Sequence, residues 1–393
     1  MKSVYDSVRA GGMDVHSKFS TVTMRDDHAK VVRRERLDHR DRVKLREVLS
    51  RWPKDATMVM EASFGWGWLA DLMKELGLKP QLSNCYKLEQ MRKARGMAKT
   101  NKKDADLLSM LPYEKDGWWK VWMSPPEVRD RRETMRHRAS LVAMQTETKN
   151  RISALFHRHG ILQEFSDLFG VGGRAFQAQL CREGRSGEVV LMPGAWSALR
   201  SLEELLEHVR LQLARIAQEL RAQLDRSALA RRLDGIPGFG LILAHTLMAE
   251  IGLIERFAGD RALANYSLLA PVADDTGEDD GRKPLGRHLG HRGNRTLKWA
   301  FLEAAHGAVR KGGKWRAIFD AATDGGKNNR NRGYIKVARE LVKVVYVVWK
   351  KDVAYTDQPP QRPGLSPRKK MEAFLSSTRS GTGQPSRPMA AVR

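Results

Sequence analysis

Only two cysteines, Cys85 and Cys181, occur in 393 residues, and they lack metal-type spacing. That excludes a disulfide framework and a thiolate zinc site. Long apolar runs are also missing. None reaches the about 18 residues of a membrane span, so no membrane is expected as a partner. The opening MKSVYDSVRA has no apolar core of the kind a secretory signal carries, so the chain is expected to be cytoplasmic and reduced. Acid is in short supply. Lys plus Arg number 70 against 46 Asp plus Glu, a net charge of +24 spread along the chain. That excess points to a polyanion partner, nucleic acid.

What is present begins with β-type patterning. Residues 11–24, GGMDVHSKFSTVTM, alternate as a strand does, with Asp14 at its start. A further strand is expected around Val31. In DRVKLREVLSRW, residues Val43, Leu45, Val48, Leu49 and Trp52 fall mostly on one helical face. TMVME is a buried-type strand ending at Glu61. SFGWGWLADLMKELG reads as a turn and a helix ending at Gly77, and LKPQLSNC as another strand. Residues 87–110 are basic and then helical. β elements, a helix and then an acid-tipped strand follow the order of an RNase H-like α/β sheet.

In that sheet Asp14 and Glu61 fall where neighbouring strands bring them together. Asp104 and Asp106 lie on the helix after the last strand. Clustered carboxylates repel one another and need a cation to coexist. Magnesium takes oxygen ligands and keeps waters for phosphate, so it is the expected cofactor. Singly, each is also readable as an ordinary surface acid. Lys87, Arg92, Lys93, Arg95, Lys99, Lys102 and Lys103 surround the acids, as a solvated face or as phosphate contacts.

YEKDGWWKVWMS closes the first domain before Pro125 and Pro126. Residues 127–159 keep helical spacing without Gly or Pro. Residues 160–195 are glycine-rich and read as a hairpin tip or loop. A second long helix is expected over 195–225, where Leu202, Leu206, Val209, Leu213, Ile216 and Leu220 recur at spacings of four and three. That seam serves packing on the first long helix, or a coiled coil that also dimerises.

LDGIPGFGLILAHTLMAEIG has the form of a helix-hairpin-helix. Gly238 and Gly240 allow close backbone approach, and helix N-terminal amides suit a phosphate. In PVADDTGEDDGRKPLGRHLGHRGN the one hydroxyl residue is Thr276, followed by Arg282, Lys283, Arg287 and Arg292. This is a solvated loop, or a nucleophile with phosphate clamps after it. Asn294 and Arg295 open a helix with Trp299, Leu302, Ala305 and Val309 on one side. GGKNNRNRG is a basic loop, and residues 334–351 form an apolar, core-closing helix. Beyond Asp357 the composition is that of a disordered basic tail.

Six blocks in order resemble the DEDD transposases of the insertion sequence one-ten family, which includes the Piv-like DNA invertases. They are GMDVHSK, MEASFGWGWLADLMKELG, MAKTNKKDADLLSML, LDGIPGFGLILAHTLMAEIG, LANYSLLAPVADDTG and LGHRGNRTLKWAFLEAAHGAV. The resemblance implies a RuvC-like DEDD domain at 1–125, coiled-coil helices at 126–228, and a mostly helical C-terminal transposase domain at 229–356 before the tail at 357–393. It implies an acidic tetrad at Asp14, Glu61, Asn101 and Asp104, with magnesium on the three carboxylates. Asn101 stands where the family usually has Asp. The implied nucleophile is Thr276, where the family usually has Ser. Strand exchange would run through a covalent protein–DNA intermediate, in a dimer or tetramer. A noncoding bridge RNA would pair with donor and target DNA. Expected nucleic-acid contacts are Lys99, Lys102, Lys103, Gly238, Gly240, Arg282, Lys283, Arg287, Arg292, Asn294 and Arg295. The alternatives are a RuvC-like nuclease that cuts by water attack, and a nucleic-acid-binding relative without catalysis.

Overall fold

The computed structural model describes residues 5–115, 117–161, 165–271, 289 and 293–357. Strands β1 (Ala10–Val15), β2 (Phe19–Arg25) and β3 (Val31–Asp38) form an antiparallel meander. The single strand expected over 11–24 is therefore a hairpin. His16, Ser17 and Lys18 turn the chain, and Val15 pairs with Ser20. Helix α1 (Arg42–Ser50) follows, capped by Asp41, whose side chain accepts from the Lys44 amide. It buries Leu45 and Leu49 beside Trp52, whereas Val43 is 80% exposed and off the expected face.

Strand β4 (Thr57–Glu61) lies parallel to β1, and helix α2 (Trp66–Glu75) leads to β5 (Lys79–Ser83), parallel to β4. Helices α3 (Cys85–Ala94) and α4 (Asn101–Met110) come next. The short β6 (Lys120–Val121) then pairs antiparallel with β5. The sheet order is β3-β2-β1-β4-β5-β6, a mixed sheet of the kind the element order predicts. Its two faces are read from the pleat. Met13, Met58 and Met60 pack with Leu49 and Leu69 on the α1–α2 side. Val59 packs with Leu88, Leu107 and Leu108 on the α3–α4 side. Alternation then sends Glu61, two residues beyond Val59, to the α3–α4 side as well.

Helix α5 (Pro126–Arg158) opens with a proline at its first position, where the missing N–H costs nothing. The glycine-rich stretch expected as a loop contains helix α6 (Val171–Glu183) and a small hairpin of β7 (Arg185–Ser186) and β8 (Val189–Val190). Gly184, at φ 68°, ends α6 in the left-handed conformation that glycine adopts without strain. Helix α7 (Pro193–Arg226) then packs along α5. Val209, Ile216 and Leu220 of the seam share a cluster with Met135 and Leu141 of α5, so the seam is occupied within the chain.

Six further helices enclose a separate core: α8 (Ala228–Asp234), α9 (Leu241–Ile251), α10 (Asp260–Tyr266), α11 (Arg295–Lys311), α12 (Gly313–Thr323) and α13 (Arg330–Lys350). Leu247, Ile251, Phe301, Phe319, Leu341 and Val345 lie at its centre. Helix α10 is shorter than the apolar pattern of residues 257–269 suggests, since Gly259 sets its start and Leu268 adopts φ 56° after its end. Among the described residues no helix is long and apolar enough to cross a membrane.

Candidate active site

A glycine sets the geometry of the acidic face. A Cβ on Gly12 would overlap the Ser109 amide nitrogen and the Ala105 carbonyl oxygen, and would lie 2.7 Å from Leu108 Cβ. Strand β1 and helix α4 therefore touch backbone to backbone at this point. Asp14 follows Gly12 by two residues and shares its side of the sheet. Met13 pairs with Met60, so Asp14 and Glu61 are the next residues along two adjacent parallel strands. Asp104 occupies the first turn of α4, whose N-terminus Thr100 caps by accepting from the Lys103 amide at 3.2 Å. Three carboxylates thus reach one face from three elements.

Their electrostatics follow from this arrangement. Burial first, and then the charges of Asp14 and Asp104, push the Glu61 carboxyl above its ordinary value, against a Cys85 hydrogen bond and the charge of Lys99. Burial first, and then Asp14, likewise raises Asp104, against Arg92 and Lys99. The Cys85 thiol is pushed up to about 11 by burial and then by Glu61, so it is protonated and can donate to that carboxylate. Asp14 Oδ2 lies 3.0 Å from His16 Nε2.

The donor set suits a hard divalent cation: it offers carboxylate oxygens, and their mutual repulsion is what such an ion relieves. Among the described residues, however, no three His, Cys, Asp or Glu side chains converge tightly enough to hold one ion. The carboxylates share a face without closing around a point, because Asp14 leans on His16 and Glu61 on Cys85. Asn101, the first residue of α4, is exposed. Asp106 turns the other way. It accepts from Thr23 Oγ1 at 2.7 Å and from Arg34 at 3.1 Å, so it braces α4 on β2 and β3.

Lys99, Lys102 and Lys103 are exposed beside this face. Arg92 is not free, because it pairs with Glu89 at 2.7 Å and donates to the Met97 carbonyl. In the C-terminal helices Gly238, at φ 87°, packs against α11. A Cβ there would lie 2.7 Å from the Ala308 nitrogen, so its lack of a side chain serves a helix contact. Gly240 caps α9 and has open space where a Cβ would go. Asn294 caps α11 by accepting from the Leu297 amide, and its amide nitrogen donates to Glu250 at 2.7 Å. Arg295 is exposed. Pro271 and Leu289 form an antiparallel bridge. Thr276, Arg282, Lys283, Arg287 and Arg292 lie outside the described residues.

Sequence reasoning missed three participants. His16 had a usable signal, because it follows Asp14 by two residues in the alternating pattern of 11–24, just past the end of β1. Cys85 had none. Glu250 is 1% exposed and binds Arg136 at 3.1 and 3.2 Å as well as Asn294. It stands in an apolar helical run, where a lone acid signals a buried partner set.

A mixed sheet with clustered acids under its covering helix, followed by helices, is consistent with a RuvC-like DEDD transposase. Residues 11–160 match a family described as "Transposase", and residues 230–320 match the "Transposase IS116/IS110/IS902 family". The chain belongs to the IS110 family of DEDD transposases. It is 26% identical over 176 residues to an insertion element IS110 uncharacterized 43.6 kDa protein of Streptomyces coelicolor, covering 44% of this chain and 42% of that one. It is 26% identical over 186 residues to an insertion element IS116 uncharacterized 44.8 kDa protein of Streptomyces clavuligerus, covering 47% and 45%. A probable family 20 transposase of Pseudomonas aeruginosa is 27% identical over 176 residues, covering 44% and 49%. The chain spans less than half the length of these curated relatives. A DEDD transposase family suggests dependence on a divalent metal.

Proposed function

We propose that this chain is the transposase of an insertion sequence, cutting DNA and exchanging strands with magnesium as cofactor. The observation that carries the reading is the grouping of Asp14, Glu61 and Asp104 beside Lys99, with the charge of Asp14 raising both of the other two. Asp14, Glu61 and Asp104 would hold the ion only after drawing closer together than they stand here, with Asn101 offering a neutral amide oxygen. Magnesium, when bound, supplies charge to the phosphoryl oxygens and to the attacking hydroxyl. Lys99, Lys102 and Lys103 hold one stretch of phosphate backbone. The Gly240 end of α9, Arg295, and Arg282, Lys283, Arg287 and Arg292 hold another.

In this reading the Thr276 Oγ attacks a DNA phosphorus. Its proton passes to a carboxylate of the acidic face, and the bond from phosphorus to a deoxyribose oxygen breaks, leaving a protein–DNA phosphodiester. A hydroxyl of the partner strand then displaces Thr276. A bridge RNA pairs with donor and target. The long helices α5 and α7 form a coiled-coil arm that assembles a dimer or tetramer, which the exposed Met144, Leu205 and Leu211 on these helices support. The test is cleavage of DNA carrying the element's ends. Asp14→Asn or Asp104→Asn, or chelator with the native chain, should lower cleavage by at least about a hundredfold while nucleic-acid binding persists. Full cleavage in either variant rejects the acidic site.

A further inference from the structure

Helix α11 presents its bulkiest residue to solvent. Its buried side is made of Leu297, Phe301 and four alanines, Ala300, Ala304, Ala305 and Ala308. Trp299, expected on the packed side, is 46% exposed. Two grooves meet at this ring. One, of about 460 Å³, runs between α5, α9 and α11, with Arg138, Arg295 and the Arg136–Glu250 pair along it. The other, of about 530 Å³, follows α11, with Arg295, Lys298, Glu303 and His306 along it. Arg138 carries a buried Nε with no hydrogen-bond partner among the described residues.

A half-exposed indole between grooves in which cations outnumber acids has the chemistry of a stacking platform. Any nucleobase has a π-face that such a ring can cover, and the flanking cations take the phosphates on either side. Within a duplex the base faces are already stacked on one another, so the ligand must be unpaired. Position supports this choice. Trp299 lies about a turn and a half along α11 from Asn294, close to Gly293, where the chain segment that carries Thr276 rejoins the described fold. We propose that Trp299 stacks on an unpaired nucleotide of a strand opened for exchange, with Arg295 and Arg138 holding its phosphates. The inference rests on the reading that the chain handles nucleic-acid strands.

The test measures affinity of the full chain at fixed salt for a thymidine-tract DNA, a uridine-tract RNA and a duplex DNA of equal length. Trp299→Ala should weaken binding of a single strand about tenfold while duplex affinity stays within about twofold. Trp299→Phe should restore most of the loss, and thermal melting of both variants should match the native chain. Loss on the DNA tract supports the proposal, and loss on the RNA tract alone overturns it. Equal loss on duplex and single strands, or no loss on either single strand, overturns the proposal. Native chain that binds the tracts through Trp299 yet never cuts DNA would reject the transposase reading and leave the platform standing.

Discussion

Substituting Gly12 with alanine tests how the acidic face is assembled. The added methyl has no room, because its neighbours are the α4 backbone at Ala105 and Ser109, and Leu108 Cβ at 2.7 Å. Backbone cannot rotate away as a side chain does. Restoring ordinary carbon contact requires α4 to lift by about 1 Å. Overpacking of this kind costs about 1–3 kcal/mol, and the lift carries Asp104 away from Asp14. A displacement near 1 Å at a reacting centre lowers rate by about a hundredfold. Gly11→Ala is the control. Its methyl meets the flexible Met58 side chain, on the opposite side of the sheet from α4. Urea unfolding and cleavage of element-end DNA are the assays. Gly12→Ala should be less stable and nearly inactive, with Gly11→Ala closer to the native chain in rate. A Gly12→Ala protein with native stability and native cleavage would refute the seating of α4 on β1.

Three other outcomes are expected. Glu61 binds its proton more tightly in the folded chain, so it favours folding below its ordinary value of 4.5 and loses that contribution as pH rises through the raised value. Without metal, Glu61→Gln should therefore melt higher than the native chain at pH 7, with the gap closing below pH 4.5. A lower melting temperature at pH 7 would contradict the buried repulsion. Removing the buried carboxylate in Glu250→Ala leaves Arg136 and Asn294 without that acceptor and Arg132 without its counter-charge at 3.7 Å, for a loss of about 3 kcal/mol in urea unfolding. Glu250→Gln should lose less, and equal stability in all three proteins would deny the network a role. Duplex binding should weaken about a thousandfold between about 50 and 200 mM salt, and a flat salt response would contradict phosphate contact.

The sequence made the sheet legible where one physical signal dominated. TMVME centres on the apolar, buried Met58, Val59 and Met60, and β4 has its bounds. Proline marked the start of α5, and the seam of α7 was readable because leucine and valine recur at helical spacing. The hairpin at His16, Ser17 and Lys18 was hidden because it has no Gly, Asn or Pro, so β1 and β2 ran together. Helix α6 was hidden for the opposite reason. Its glycines read as loop, although a Cβ on Gly173 would lie 2.6 Å from Leu168 Cα, a close packing contact rather than a turn.

The candidate site was legible through alternation on strands, which gave Asp14 and Glu61, and less so through helices. Asp104 and Asp106 are two residues apart and diverge by more than half a turn of helix, so only contacts could show that one joins the acids and the other braces β2 and β3. Trp299 was misplaced because four alanines share the packed side of α11 with Leu297, Phe301 and Val309, so the bulkiest residue does not mark that side. Gly238 looked like a phosphate site because close backbone approach has the same signature whether the neighbour is a phosphate or a helix.

The most direct measurement is the chemistry of the bond between protein and DNA. Full-length chain is incubated with DNA carrying the element's ends and magnesium, denatured, and the linked peptide identified by mass spectrometry. The account predicts a phosphodiester on Thr276, none in Thr276→Ala, and retained activity in Thr276→Ser. DNA cut without any protein link would make water the nucleophile. A link to another residue such as Ser267, or strand exchange that persists in Thr276→Ala, would contradict the account.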